Sequence, residues 1–298
     1  MELVAHLDDR ILFAVPKKGR LAEACNKLLL GSDIKFRRSN RLDIALSTNL
    51  PIALVFLPAA DIPVFVGEGR CSLGITGIDQ VMESNVKVDD LLDLQFGSCK
   101  LQVQVPANGT IKDTKELIGK TIVTSFTHLT KEYFRKLEGK QENEELATKI
   151  KYVGGSVEAA VALGVGDAIV DLVESGETMR AAGLTAIDTV LDTSARLISS
   201  VHNNRNAELV DLIKKRIQGV VASNQFVLCN YNIKRSLLPV ALKITPGRRA
   251  ATVSPLDEDG WVAVSSMVER KRVAEVMDRL TAEGAEDILV IGLDNCRV

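Results

Sequence analysis

DAIVDLVESGETMRAAGL, residues 167–184, sets an apolar run against an acidic loop with one glycine and then resumes a short helical pattern. AIVDLV has the apolar, β-branched make-up of a strand, SGET is the joint, and a helix begins near Thr178. Backbone N–H groups at a glycine turn and a helix N-terminus point outward with partial positive charge, so the joint can cradle a phosphate dianion. Ser175 and Thr178 hydroxyls can donate to the same oxygens, and Gly176 permits positive φ or close backbone approach. Asp171, near the strand's end, can accept from a pair of sugar hydroxyls. The plainer reading makes Thr178 an N-cap and Gly176 a turn residue. Glu174 and Glu177 add negative charge, so a phosphate cradle here needs cations from elsewhere in the chain.

The same grammar of strand, glycine turn and helix recurs outward from this stretch, and it is the signature of an α/β fold. ILFAVP (residues 11–16) leads through the basic turn KKGR to LAEACNKLLL, whose leucines and alanines recur at helical spacing. DIPVFVGEG leads to the strand SLGITG and then DQVMES. KLQVQVP alternates, KTIVTS is a further strand, and LTKEYFRKL is a helix. After it EGKQENEELATK has few large apolar residues and reads as a solvated connection. KYVGGSVEAAVALG is a glycine turn followed by an alanine-rich helical segment. NAELVDLIKKRIQGVV places Leu209, Leu212, Ile213 and Ile217 on one helical face. After about Ser223 the grammar changes. ALKI with AATVSPL, and then WVAVSSMV, read as strands, followed by a helix from Glu269 and a last strand DILVIGL. Val273, Val276, Met277 and Leu280 share a face of that helix, and Gly284 is placed as its C-terminal cap. A β-β-α-β order predicts a small ferredoxin-like appendage.

Composition excludes several classes. The 298 residues are 46% hydrophobic and 26% charged with a formal net charge of −2, which fits a globular protein of about two domains and shows no basic excess for nucleic acid. The opening MELVAHLDDR lacks the basic start and long apolar run of a secretion signal or membrane span. Cys25, Cys71, Cys99, Cys229 and Cys296 are scattered and odd in number, so a reducing, cytoplasmic setting is expected. His6, His128 and His202 are isolated and lack metal-ligand spacing. His128 either caps the helix that follows or faces a cleft, and the cap is the favoured reading. Trp261 is expected in the core, and Arg270, Lys271 and Arg272 on a solvated helix face.

Together AVPKKGRL, DIPVFVGEG with LGITGID, GSCKLQVQVP, TSFTHLTKEYF, GGSVEAAVALGVGDAIVDLVESGETM, ITPGRRAATVSPL, WVAVSSMV and GAEDILV resemble the long form of the ATP phosphoribosyltransferase family over nearly the whole chain. The most specific part is the long motif in which Glu158, Asp171, Gly176 and Thr178 stand in register. The resemblance implies two lobes like those of a periplasmic solute-binding protein, residues 1–100 with 195–223 and residues 101–194, and a ferredoxin-like (ACT-like) regulatory domain over 224–298. It implies transfer of phosphoribosyl from phosphoribosyl pyrophosphate to N1 of ATP with magnesium, as the first step of histidine biosynthesis, in a homo-hexamer in equilibrium with a dimer, with neither nucleic acid nor membrane as partner.

By the same resemblance Asp171, Leu172, Val173, Glu174, Ser175, Gly176, Glu177, Thr178 and Met179 hold the ribose and its 5′-phosphate. Lys17, Lys18 and Arg20 lie near the pyrophosphate, with Lys18, Arg20 and Glu158 assigned to catalysis. Lys17, Gly19, Asp79, Ser125 and Thr127 belong to the nucleotide side. Glu158 either orients the adenine edge or stabilises cationic character. Inhibitory histidine would meet Asn232, Thr252, Met267 and Asp287. Two departures stand out: Asn232 occupies a position where some relatives carry an acid, and Pro58 replaces an arginine that many relatives place before the DIP motif. A two-lobed solute sensor without catalysis is the competing class.

Overall fold

A computed structural model describes residues 7, 9–38, 42–202 and 206–297. His6 and most of the opening MELVAHLDDR lie outside the described residues. Contacts divide the chain into two units, one running up to Asn26 and then over Lys35–Val210, the other made of Lys27–Ile34 and Asp211–Val298.

The first unit contains two sheets. Its elements are β1 (Ile11–Pro16), the first part of α1 (Arg20–Gly31, whose residues from Lys27 group with the second unit), β2 (Ile44–Leu46), β3 (Ile52–Leu57), α2 (Ile62–Gly67), β4 (Leu73–Gly77), α3 (Ile78–Ser84), β5 (Val88–Asp93), β6 (Cys99–Pro106), β7 (Thr121–Thr124), α4 (Thr127–Glu138), β8 (Lys149–Tyr152), α5 (Ala159–Ala162), β9 (Ala168–Val173), α6 (Glu177–Ala181), β10 (Leu184–Thr193) and β11 (Ala195–Ser200). The first sheet has the order β2-β3-β1-β4-β11-β5, the second β10-β6-β9-β7-β8. β1 lies parallel to β3 and β4, and its unbroken apolar run suits a strand covered on both faces. In the second sheet Leu101, Val103 and Val105 of β6 are buried, and so is Gln104 between them. That polar residue is satisfied, because its Nε2 donates to the Asp171 carbonyl at 3.2 Å.

The chain crosses between the sheets twice, from β5 to β6 and back from β10 to β11. The crossings are bonded to each other: Leu94 N–H donates to the Ala195 carbonyl and Ala195 N–H to the Phe96 carbonyl, each at 3.0 Å. Two lobes joined by a paired crossing follow directly from this topology. The alanine-rich segment forms only one helical turn, α5, between glycine-bearing loops. The charged connection after α4 is tied rather than loose. Glu138 Oε2 accepts from Ala147 N–H at 2.8 Å, and Oε1 from the Thr148 N–H and hydroxyl at 3.0 and 2.7 Å.

The second unit includes most of α7 (Ala207–Gln225), then β12 (Phe226–Lys234), α8 (Leu238–Ile244), β13 (Thr252–Pro255), β14 (Trp261–Glu269), α9 (Val273–Ala282) and β15 (Glu286–Gly292). Its sheet is antiparallel with order β13-β14-β12-β15, the ferredoxin-like arrangement in its full β-α-β-β-α-β form. Sequence reading missed β12 and took ALKI for a strand. Val227, Cys229, Tyr231 and Ile233 alternate into the core, whereas Ala241 and Ile244 are three apart on one face of α8, which Pro239 helps to start. Gly284, at φ 82°, does end α9. On α7 the buried residues are Ile213, Ile217, Gly219, Val220, Val221 and Ser223, while Leu212 is exposed. From Asp211 onward α7 groups with the C-terminal sheet rather than with the first lobe, its Ser223 hydroxyl donating to the Asp294 carbonyl at 3.1 Å. Trp261 is half-buried beneath the Lys234 ammonium, not in the core. Arg270 is no idle surface charge, since its guanidinium donates to the carbonyls of Asn224 and Phe226. Among the described residues no helix is long and apolar enough to cross a membrane, and all five cysteines are free thiols.

Candidate active site

The joint after β9 forms as its composition requires. Gly176 takes the left-handed conformation, φ 74° and ψ 7°, and is itself the N-cap of α6, with no side chain capping the helix. Thr178 is therefore inside the first turn and exposed, rather than the cap residue of the plainer reading. Ser175 stands on the loop crest, its carbonyl accepting from the Arg180 guanidinium at 3.1 Å. Below it Met179 packs against the core cluster of Val123, Val157, Ala160, Ile169 and Leu184. That anchor and the Gln104 bond hold both ends of the loop.

Asp171 is half-buried, and Leu172 N–H donates to its Oδ1 at 2.8 Å. Burial raises its carboxyl above the usual aspartate range, and the nearby charge of Glu158 adds to the rise. Glu158 sits half-buried at the start of α5. Leu172, Glu174, Ser175, Glu177 and Thr178 are exposed around these two carboxylates, with Val173 half-buried.

The missing cation arrives from the first lobe. Arg20, just after Gly19 at φ 81°, pairs with Glu174 at 2.7 Å across the cleft. Lys18 is exposed in the same turn. Lys17 is directed elsewhere: its ammonium meets Asp43 at 2.8 Å, and together with Arg38 it holds that carboxyl below the usual range. Cys99, at the start of β6, lies where these charges converge. Burial, and then the charges of Asp79 and Glu174, push its thiol up to about 11 against the pull of Arg20. Sequence reasoning had only counted this cysteine, because nothing local to GSCK marks it as adjacent to residues 20, 79 and 174.

Asp79 is buried at the crossing between lobes rather than displayed in the cleft. Its Oδ1 accepts from the Thr193 hydroxyl at 2.6 Å and its Oδ2 from the Gln80 amide at 2.8 Å. A Cβ at Gly77 would stand 2.1 Å from Asp79 Oδ1, so the glycine of GITGID makes room for this carboxylate. Ser125 is half-buried after β7. Thr127 opens α4 and donates to Glu83 Oε1 at 3.2 Å. Glu83 caps that helix, accepting from the N–H groups of His128 and Leu129 at 2.9 and 3.0 Å. His128 is thus capped, not the cap, and its side chain helps line a cavity of about 400 Å³ between α3, α4 and β10.

In the second unit Asn232, Thr252 and Asp287 line a cavity of about 210 Å³ together with Asn230, Ser254 and Ser265. Asn232 Nδ2 donates to Asp287 Oδ2 at 3.0 Å. Asn230 Oδ1 is buried without a partner. Met267 lies on the same strand two residues beyond Ser265, outside the cavity lining.

The paired crossings, the cleft carboxylates and the glycine-initiated loop define a two-lobed α/β cleft protein with a ferredoxin-like C-terminal domain. The family model described as ATP phosphoribosyltransferase matches residues 58–219, and that described as HisG, C-terminal domain, matches residues 223–295. ATP phosphoribosyltransferases from Yarrowia lipolytica, Kluyveromyces lactis and Saccharomyces cerevisiae are 67%, 64% and 62% identical, each over all of both chains. The structure of an ATP phosphoribosyl transferase (HisG:HisZ) complex from Thermotoga maritima superposes with a TM-score of 0.62 at 22% identity, covering 72% of this chain and 98% of that one, which shows a shared fold. The chain belongs to the ATP phosphoribosyltransferase family, and is an enzyme of the pentosyltransferase type.

Proposed function

We propose that the cleft transfers phosphoribosyl from phosphoribosyl pyrophosphate to N1 of ATP, releasing pyrophosphate, as the first step of histidine biosynthesis in the cytoplasm. The observation that supports the substrate assignment is the loop of residues 171–179, in which a carboxylate precedes a left-handed glycine that starts a helix with no side-chain cap. Asp171 accepts from the ribose hydroxyls. Ser175, Gly176, Glu177 and Thr178 receive the 5′-phosphate, and Leu172, Val173 and Met179 hold the loop's shape. Arg20 and Lys18 face the pyrophosphate, with Arg20 exchanging its Glu174 partner for the incoming anion, while Lys17 and Gly19 set the turn. Ser125 and Thr127 face the nucleotide, and Asp79 fixes the crossing behind it.

As the bond from C1 of ribose to pyrophosphate breaks, its electron pair leaves with the pyrophosphate and positive charge develops on the sugar. The N1 lone pair of adenine then forms the new bond, so attack requires no base to remove a proton first. Positioning and electrostatics carry the acceleration. The Glu158 carboxylate, near enough to Asp171 for its charge to be felt there, either stabilises the cationic sugar or holds the adenine edge. Among the described residues no group of three His, Cys, Asp or Glu side chains could hold a metal ion. This donor set suits magnesium carried mainly on substrate phosphates, with Asp171 and Glu158 as the carboxylates that would face it. When bound, magnesium supplies charge neutralisation to the leaving group.

Histidine is the proposed inhibitor, bound in the cavity of Asn232, Thr252 and Asp287, with Met267 at its margin and a compact hexamer favoured over the dimer. Asp287 supports this by supplying a carboxylate beside Asn232 in the cavity. The test is pyrophosphate release with magnesium, ATP and phosphoribosyl pyrophosphate, omitting each in turn. Release is expected only when all three are present, and release without ATP, or none from folded protein, would overturn the reaction as written.

A further inference from the structure

α3 carries two carboxylates one helical turn apart, Asp79 and Glu83, and although Asp79 Oδ2 accepts from the neighbouring Gln80 amide, each has an oxygen that reaches out of its own lobe. Positions i and i+4 share a helix face. Asp79 accepts from Thr193, the last residue of β10, and Glu83 accepts from three donors at the start of α4. Both partners belong to the second sheet's lobe, whereas α3 follows directly from β4 of the first.

The cap is unusual in its origin. A helix N-terminus is ordinarily satisfied by Ser, Thr, Asp or Asn at its own N-cap. In α4 that position is Phe126, only 4% exposed and packed into the second lobe's core, so no local side chain can accept from the first N–H groups. The acceptor comes instead from a residue 44 to 46 positions earlier in the chain, and it is charged. A carboxylate on helix N–H groups is favoured both by its charge and by the helix dipole.

We infer that α3 is a clasp between the lobes, with Glu83 as the positioning residue that fixes the start of α4 and the Thr127 hydroxyl against the cleft. Swinging the second lobe away breaks all three Glu83 bonds at once, while Asp79 and Thr193 hold the pivot. Glu83 also fills the anion site at the α4 N-terminus, so the phosphates of a nucleotide are denied that position and are directed toward the basic turn. The catalytic consequence rests on the reading of Ser125 and Thr127 as the nucleotide side.

The test uses the full-length chain and the variants Glu83→Ala and Glu83→Gln. Hydrogen exchange is followed on peptides covering the start of α4, and KM and kcat are measured for each substrate. In Glu83→Ala the amides of His128 and Leu129 should exchange about tenfold faster, the scale of a lost cap. KM for ATP should rise about fivefold or more, with kcat and KM for phosphoribosyl pyrophosphate changing less than about twofold, because only the nucleotide side is loosened. Glu83→Gln, which keeps one acceptor oxygen and the side chain's length, should fall between. Unchanged exchange in Glu83→Ala, or kcat and both KM values shifting together in both variants, overturns the clasp. Wild-type protein that releases no pyrophosphate strikes the underlying reaction instead, and the exchange result then decides the clasp by itself.

Discussion

Asp171 faces opposing demands. In the proposed complex its ionised carboxylate accepts from ribose hydroxyls, yet burial and the charge of Glu158 both favour the protonated form. Because the carboxyl is raised, the accepting form is lost as pH falls while an ordinary aspartate would still be ionised. KM for phosphoribosyl pyrophosphate should therefore begin to climb at a pH above the usual aspartate range. Glu158→Gln removes the neighbouring charge and should move that climb to lower pH, whatever it does to kcat. Asp171→Asn should raise KM about tenfold or more and remove this acidic limb, the scale of a lost charge-assisted contact. Initial rates across pH 4–8 for the three proteins check this, and an unchanged limb in Glu158→Gln would sever the coupling. Asp171 and Gly176 were legible in sequence because their chemistry is local: a carboxylate near a strand end, then a glycine where φ must be positive. Gln104, Cys99 and Glu83 were not, because each acquires its meaning only from partners on other elements.

Single elements show the same division. α4 was evident from the spacing in LTKEYFRKL, and Gly139 ends it at φ 66°. Glu138, its last residue, looks misplaced at a helix C-terminus, where the dipole disfavours negative charge. It is retained because the following loop wraps it: the Thr148 hydroxyl, two backbone N–H groups and Lys140 overcome the burial that alone would raise its carboxyl, bringing it down to about 2. A lowered carboxyl contributes stability that is present above its unfolded value, about 4.5, and is lost as pH falls from there toward 2. Thermal melts at pH 6, 4 and 2.5 should show the wild type losing its advantage over Glu138→Gln across that window. A gap that stays constant with pH would assign the wrapping to the loop alone. The ferredoxin-like element was half legible. FVLCNYNIK alternates as a strand should, but Asn230 and Asn232 on its polar face masked it. ALKI is too short for periodicity to separate helix from strand.

At the scale of the molecule, the α/β class was legible as repeated grammar and the two lobes were implied by the family resemblance, but the union of the lobes was in neither. The paired crossing near residues 94–98 and 194 rests on hydrogen bonds between segments about a hundred residues apart, which no local pattern encodes. Regulation by histidine is a claim at this scale, because it ties the C-terminal domain's cavity to catalysis in the other unit. Coupling of two binding sites is reciprocal: if histidine weakens ATP binding by some factor, ATP must weaken histidine binding by the same factor. The cavity offers a carboxylate at Asp287 and the Thr252 hydroxyl, groups able to accept from an ammonium and an imidazole N–H. Asp287→Ala should therefore weaken histidine binding about tenfold or more, by loss of a charge-assisted contact, while leaving the uninhibited kcat unchanged. Titration calorimetry of histidine with and without saturating ATP, paired with sedimentation under the same conditions, reads both halves. Equal shifts in the two affinities, accompanied by a change in mass or shape, are expected. Histidine binding that ATP does not alter would separate the cavity from the active site, and wild-type inhibition retained by Asp287→Ala would place the effector elsewhere.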